Sequence, residues 1–227
     1  MQTLEYLNAQ DHARLAITTG HAANRHFAQI VADEFLPAML DYPILFTKHP
    51  ETGAFYAGVI MGLEPGENLV AHDGVLPGYR PADLVRQGFF VREGQIAIDP
   101  ADPVFAPSGE PVFDASSQPT PTLRRVQQAI QLLDKGLAET DAAIARLVAN
   151  RLVEPIDISF DFDDGSHLRL DGLYSISLDS LHALPDEVAL DLFRRGDIQL
   201  AYAQTMSLRH VGRLAQIRND RLAAALA

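Results

Sequence analysis

The 227-residue chain contains no cysteine and no tryptophan. The first absence excludes disulfides, thiolate nucleophiles, zinc–thiolate sites and cysteine-ligated iron–sulfur clusters. Basic residues are scarce as well: 18 Lys and Arg face 30 Asp and Glu, for a formal net charge of -12. A field of that sign repels phosphate backbones and anionic headgroups, so nucleic acid is not an expected partner. No apolar run approaches the roughly 18 to 20 residues that span a bilayer. The first twenty residues also lack the basic-then-apolar order of a secretory leader, so a cytoplasmic address without a transmembrane segment is expected. The chain has no G-x-S-x-G elbow, phosphate-binding Gly-Lys loop, dinucleotide-binding glycine fingerprint or H-E-x-x-H helix. No cofactor is expected.

What is present is apolar enough for a core, at 47% hydrophobic and 21% charged residues. The strongest periodicity runs through Leu123, Val126, Ile130, Leu133, Leu137, Thr140, Ile144 and Leu147, an alternating three-four spacing that predicts one helix over 121–151. At 1.5 Å per residue it is about 45 Å long. Ala129, Gly136 and Ala143 recur beside this seam and would let another backbone approach closely. The seam serves either as the spine of the chain's own core or as a homo-oligomer contact. The unmatched flanks Gln127, Asp134 and Asp141 favour the first.

On the C-terminal side, Ile156, Ile158, Phe160 and Phe162 alternate with Asp157, Ser159, Asp161 and Asp163, a half-buried strand. Asp164-Gly165 turns it back through 167–173 as a hairpin. The acidic turn falls short of a calcium loop, because its Gly comes one position early and no Glu closes it. Asp186 to Arg195 reads as a helix stopped by Gly196, 197–204 as strand or helix, and 207–226 as a terminal helix.

The N-terminal half is rich in turns. Residues 21–40 carry Phe27, Ile30, Val31, Phe35, Met39 and Leu40 at helical spacings, predicting two short helices with Pro37 in the first turn of the second. Tyr42 to Thr47 and Ala54 to Leu63 read as hairpin strands. Shorter strands are predicted at 68–71, 95–98 and 111–113, and a short helix at 80–87. The fold class is therefore α+β, expected as a single domain over 1–227 with a sub-boundary near 115–121.

Candidate chemistry is sparse. His72 and Asp73 place an imidazole beside a carboxylate, the start of a metal site or an acid–base pair, with Glu34 or Asp99 as further carboxylates. Each also suits a turn or cap. Tyr79, Arg80 and Arg86, with Asn68 nearby in sequence, could clamp a carboxylate or phosphate. In an acidic chain such arginines also pair internally; the discriminating observation is whether they face a pocket or lie across Asp and Glu.

Read in order, Glu34-Phe35, Tyr42-Pro43-Ile44-Leu45-Phe46, Gly62-Leu63, Glu67-Asn68-Leu69 and Tyr79-Arg80-Pro81-Ala82 with Arg86 resemble the signatures of the bacterial SapC family. The likeness continues through Ile98-Asp99, Pro111-Val112-Phe113-Asp114, Asp171-Gly172-Leu173-Tyr174 and residues 196–208. The sequence departs where Val75-Leu76 replace a Trp after the Asp-Gly turn and Gly88-Phe89 a Pro-Phe. The family is named for a surface-layer gene region, and other members resemble neighbours of tryptophan halogenase-like proteins, cupin-like proteins and TonB-dependent receptors. The resemblance implies a non-catalytic accessory protein that binds a protein partner or small molecule in a surface-layer, uptake or halogenase-associated system. The alternative is an enzyme, metal-dependent through His72 and Asp73, acting on a small anionic or amino-acid-like substrate.

Overall fold

A computed structural model describes residues 4–18, 24–72 and 74–226. Short β1 (Glu5–Tyr6) and β2 (Ala16–Ile17) lead into β3 (Phe27–Gln29), a 3-10 turn at Ala32–Glu34 and α1 (Phe35–Ala38). The helix predicted around Phe27 is thus a strand. Its spacing fits a helix, but Phe27 pairs with Ile60 and Gln29 with Gly58, and the Phe27 ring lies where any side chain at Gly58 would stand. Tertiary pairing overrides the local pattern.

The hairpin β4 (Ile44–Lys48) and β5 (Phe55–Ile60) follows as predicted, closed through Gly53 in the left-handed region. After α2 (Ala82–Val85), β6 (Phe89–Arg92) and β7 (Gln95–Ile98) form a hairpin across Glu93 and Gly94, both at positive φ, and β1 pairs with the outer edge of β7. β8 (Glu110–Pro111) pairs with β2. Residues 68–71, predicted as a strand, instead form a turn in which the Asn68 Oδ1 accepts from the amides of Val70 and Ala71.

α3 (Pro121–Ala149) begins with Pro121 after Thr120, whose hydroxyl accepts from the Leu123 amide. Leu123, Val126 and Ile130 enter one apolar cluster with Phe89, Ile98 and Val112, whereas Ile144 and Leu147 enter the larger one beneath the main sheet. The helix therefore ties two cores together. The backbone that its small residues admit is the chain's own: Val31 fills the space beside Gly136, and the Ala32 amide donates to Thr140 Oγ1 at 2.8 Å. Most of the seam is thus taken up by the chain's own core, while Leu137 and Val148 of the same helix stay exposed.

β9 (Val153–Pro155), the hairpin β10 (Ile158–Asp161) with β11 (His167–Leu170), and β12 (Tyr174–Ile176) precede α4 (Leu178–His182), α5 (Asp186–Arg194), α6 (Asp197–Ser207) and α7 (Arg209–Leu226). The main sheet is antiparallel, in the order β3-β5-β4-β12-β9. β4 and β12 share only the Tyr174–Phe46 pairing. Beyond it, α6 completes the ladder with side chains: Gln204 donates to the Ile44 carbonyl at 3.0 Å and accepts from the Ile176 amide at 3.1 Å, while Ser207 Oγ accepts from the Ile44 amide at 2.8 Å. Gly196, at φ 83°, separates α5 from α6, and Asp197 opens α6 with a bidentate pair to Arg146 of α3 at 2.6 and 2.7 Å. Among the described residues no helix is long and apolar enough to cross a membrane.

Candidate functional site

The segment leading into α2 is held from below by acids and hydroxyls. Glu34 is fully buried, and both of its carboxylate oxygens are engaged. One accepts from the Tyr79 hydroxyl at 2.9 Å and the Ala82 amide at 2.8 Å; the other accepts from the Val31 amide at 3.0 Å. Burial pushes this carboxyl above the ordinary value, against the pull of its three donors. Burial, and then the adjacent Glu34, likewise raise the Tyr79 hydroxyl, so it stays a neutral donor at physiological pH.

Tyr79 is fixed at two further atoms. Its amide donates to Asp41 at 2.7 Å and its carbonyl accepts from the Tyr42 hydroxyl at 2.5 Å. Asp41 reaches that amide only because residue 78 is glycine; a Cβ there would stand 2.2 Å from the carboxylate. With Tyr79 and Ala82 both anchored, the backbone carrying Arg80 has little freedom.

Arg80 lies on the wall of a cleft of about 600 Å³, within the range of small-molecule sites. The N-terminal half of α3 lines it through Thr122, Val126, Ala129 and Leu132, and the β2–β8 ribbon through Ile17 and Glu110. Glu110 accepts from the Thr122 hydroxyl and, at 2.8 Å, from Arg125. These contacts hold its carboxyl below the ordinary range, Thr122 most strongly.

Five arginines in the described chain are half-buried: Arg25, Arg80, Arg86, Arg146 and Arg218. Arg25 and Arg86 share Asp83 at 2.6 and 2.7 Å, Arg146 pairs with Asp197 and Arg218 with Glu64. Arg80 has neither a hydrogen bond nor an ion pair among the described residues. The two arginines singled out in the sequence thus separate: Arg80 faces the cleft, whereas Arg86 lies across Asp83 and is not a free clamp.

The remaining candidates do not converge. Asn68 is buried as the brace of its own turn, also donating to the Arg25 carbonyl at 3.1 Å. Asp99 accepts from the Ala101 amide at 3.1 Å in the turn after β7. His72 is exposed and bridges back to Val75, and Asp73 lies outside the described residues. Among the described residues no three His, Cys, Asp or Glu side chains are grouped to hold a metal ion. Glu34, by contrast, does meet Tyr79, as a support beneath the cleft rather than a group exposed in it.

Arg125, Glu110 and Thr122 escaped the sequence reading. Their signal was faint: Thr122, Arg125, Gln128, Ala129 and Leu132 form a second stripe beside the apolar seam, lining the cleft while the seam fills the core.

Fold and cleft together define an α+β protein of small antiparallel sheets around one long helix, with an arginine-bearing cleft along that helix's first turns. The chain belongs to the SapC family, whose sequence model matches residues 7–214. Neither the curated proteins nor the solved structures contain a match.

Proposed function

We propose that this SapC protein is a non-catalytic accessory protein that binds a small molecule in the cleft between α3 and the 75–82 segment. It hands that molecule to, or senses it for, a partner in a surface-layer, uptake or halogenase-associated system. The observation that carries the reading is Arg80, a half-buried residue on an anchored stretch of backbone, with neither a hydrogen bond nor an ion pair among the described residues and on a largely apolar wall. Half-buried cations are costly to leave unpaired, so a cleft that keeps one is suited to receive an anionic group. The competing enzyme reading gains little from the geometry, because the Glu34 oxygens are engaged by three donors and the Glu110 carboxylate is already shared by Thr122 and Arg125.

Native mass spectrometry of the protein purified from its host tests this reading. A bound small molecule lost on Leu132→Trp, which fills the cleft, is the expected result. A ligand-free protein whose melting temperature is unmoved by a panel of small organic anions would overturn it.

A further inference from the structure

Resting on that binding reading, we infer that the ligand is a monoanionic carboxylate carrying an apolar body, and that Arg80 is the residue that receives the carboxylate. Wherever else a guanidinium is half-buried in the described chain, a carboxylate meets it at 2.5 to 2.7 Å. At Arg80 that partner is missing, although its neighbours on both sides are fixed through Asp41, Tyr42 and Glu34. The chain therefore anchors the backbone on both sides of the donor and leaves the acceptor to arrive from outside. A planar guanidinium fork matches a planar carboxylate in two parallel hydrogen bonds.

The charge of the walls sets the valence. Arg125 is already neutralised by Glu110, which also takes the Thr122 hydroxyl, so the surplus on the described walls is the single charge of Arg80. A phosphate dianion would bring its second negative charge toward Glu110, which lies close enough to feel Arg80. One carboxylate balances the cleft; a dianion overfills it. The rest of the ligand is fixed by what surrounds the guanidinium. Val75, Leu76, Val85, Val126 and Leu132 offer aliphatic surface and few hydrogen-bonding groups, so the body that fills the cleft is an alkyl or aryl group.

Calorimetric titration of the full chain with octanoate, octanol and octyl phosphate separates these statements, because the three probes share a tail and differ in the head. Octanoate is expected to bind at least about 10-fold more tightly than octanol, the scale of one charge-assisted contact. Octyl phosphate is expected to bind more weakly than octanoate. Arg80→Gln should erase the preference for the acid by weakening octanoate far more than octanol, and Arg80→Lys should restore part of it. Thermal unfolding of each variant alongside shows that the fold is retained. Equal binding of acid and alcohol would overturn the carboxylate inference and leave small-molecule binding intact. Tighter binding of octyl phosphate would replace the monoanion by a dianion, and loss of octanol as well in Arg80→Gln would make Arg80 a prop rather than a receptor. Failure of all three probes to bind the unaltered chain would overturn the carboxylate inference and the binding reading together.

Discussion

Arg80 and Arg86 stand on either side of α2, both half-buried, yet only one has a partner. Arg86 turns toward Asp83, which also takes Arg25 from the segment just before β3, and its guanidinium is locked into packing. Arg80 turns the other way, toward an apolar wall with one exposed, already shared carboxylate. Exposure therefore does not decide which guanidinium is available. The position of the nearest uncommitted carboxylate does, and α2 sorts the two arginines by the face on which it carries Asp83.

Stability measurements can break that contrast. The largest loss is expected where a pair is most buried: Arg146→Ala strands Asp197, which is 1% exposed, and should cost about 3–5 kcal/mol in urea unfolding. A cost below about 1 kcal/mol would mean that the half-buried pairs are not structural, and Arg80 would lose its distinction. Next comes Glu34→Ala, which orphans the Val31 and Ala82 amides and the Tyr79 hydroxyl and should cost about 3 kcal/mol.

Glu34 also predicts a pH dependence. Burial raises its carboxyl, so the folded chain holds that proton more tightly than the unfolded chain does. Its contribution is full below the unfolded value and fades as pH rises through the higher folded value. Stability should decline across that window, and the decline should be absent in Glu34→Gln; an identical slope in the variant would assign it to another group. The smallest effects separate the two arginines directly. Arg86→Ala should cost about 1 kcal/mol, moderated by solvent and by Arg25, which still holds Asp83. Arg80→Ala should stay within about 0.5 kcal/mol of the unaltered chain. If Arg80→Ala proves the costlier of the two, Arg80 is a structural residue.

Local patterns were legible in the sequence wherever neighbours along the chain decide the outcome. The α3 periodicity, the β10–β11 alternation and the stop at Gly196 all appear in the structure, because each is a property of a single element. The α+β class followed from them. Residues 27–31 were misread because Phe27 is committed by Gly58, on a strand that the local spacing does not reveal. Of the site, Tyr79 and Arg80 could be named from their sequence neighbourhood. Whether Arg80 or Arg86 would be free could not, since Asp83 sits between them in sequence and only the helix turn assigns it to one. Arg125 and Glu110 reach the cleft from separate elements joined across β8 and α3, and no spacing along the chain couples them.

Gly136 gives the cleft a remote adjustment. It seats Val31, the Val31 amide holds Glu34, Glu34 holds Tyr79 and Ala82, and between those two residues stands Arg80. A methyl group at position 136 would approach Val31 to 2.7 Å and push on the first link. The backbone that carries Arg80 is thus coupled, through a relay of packing and hydrogen bonds, to a residue of the long helix that lines no part of the cleft.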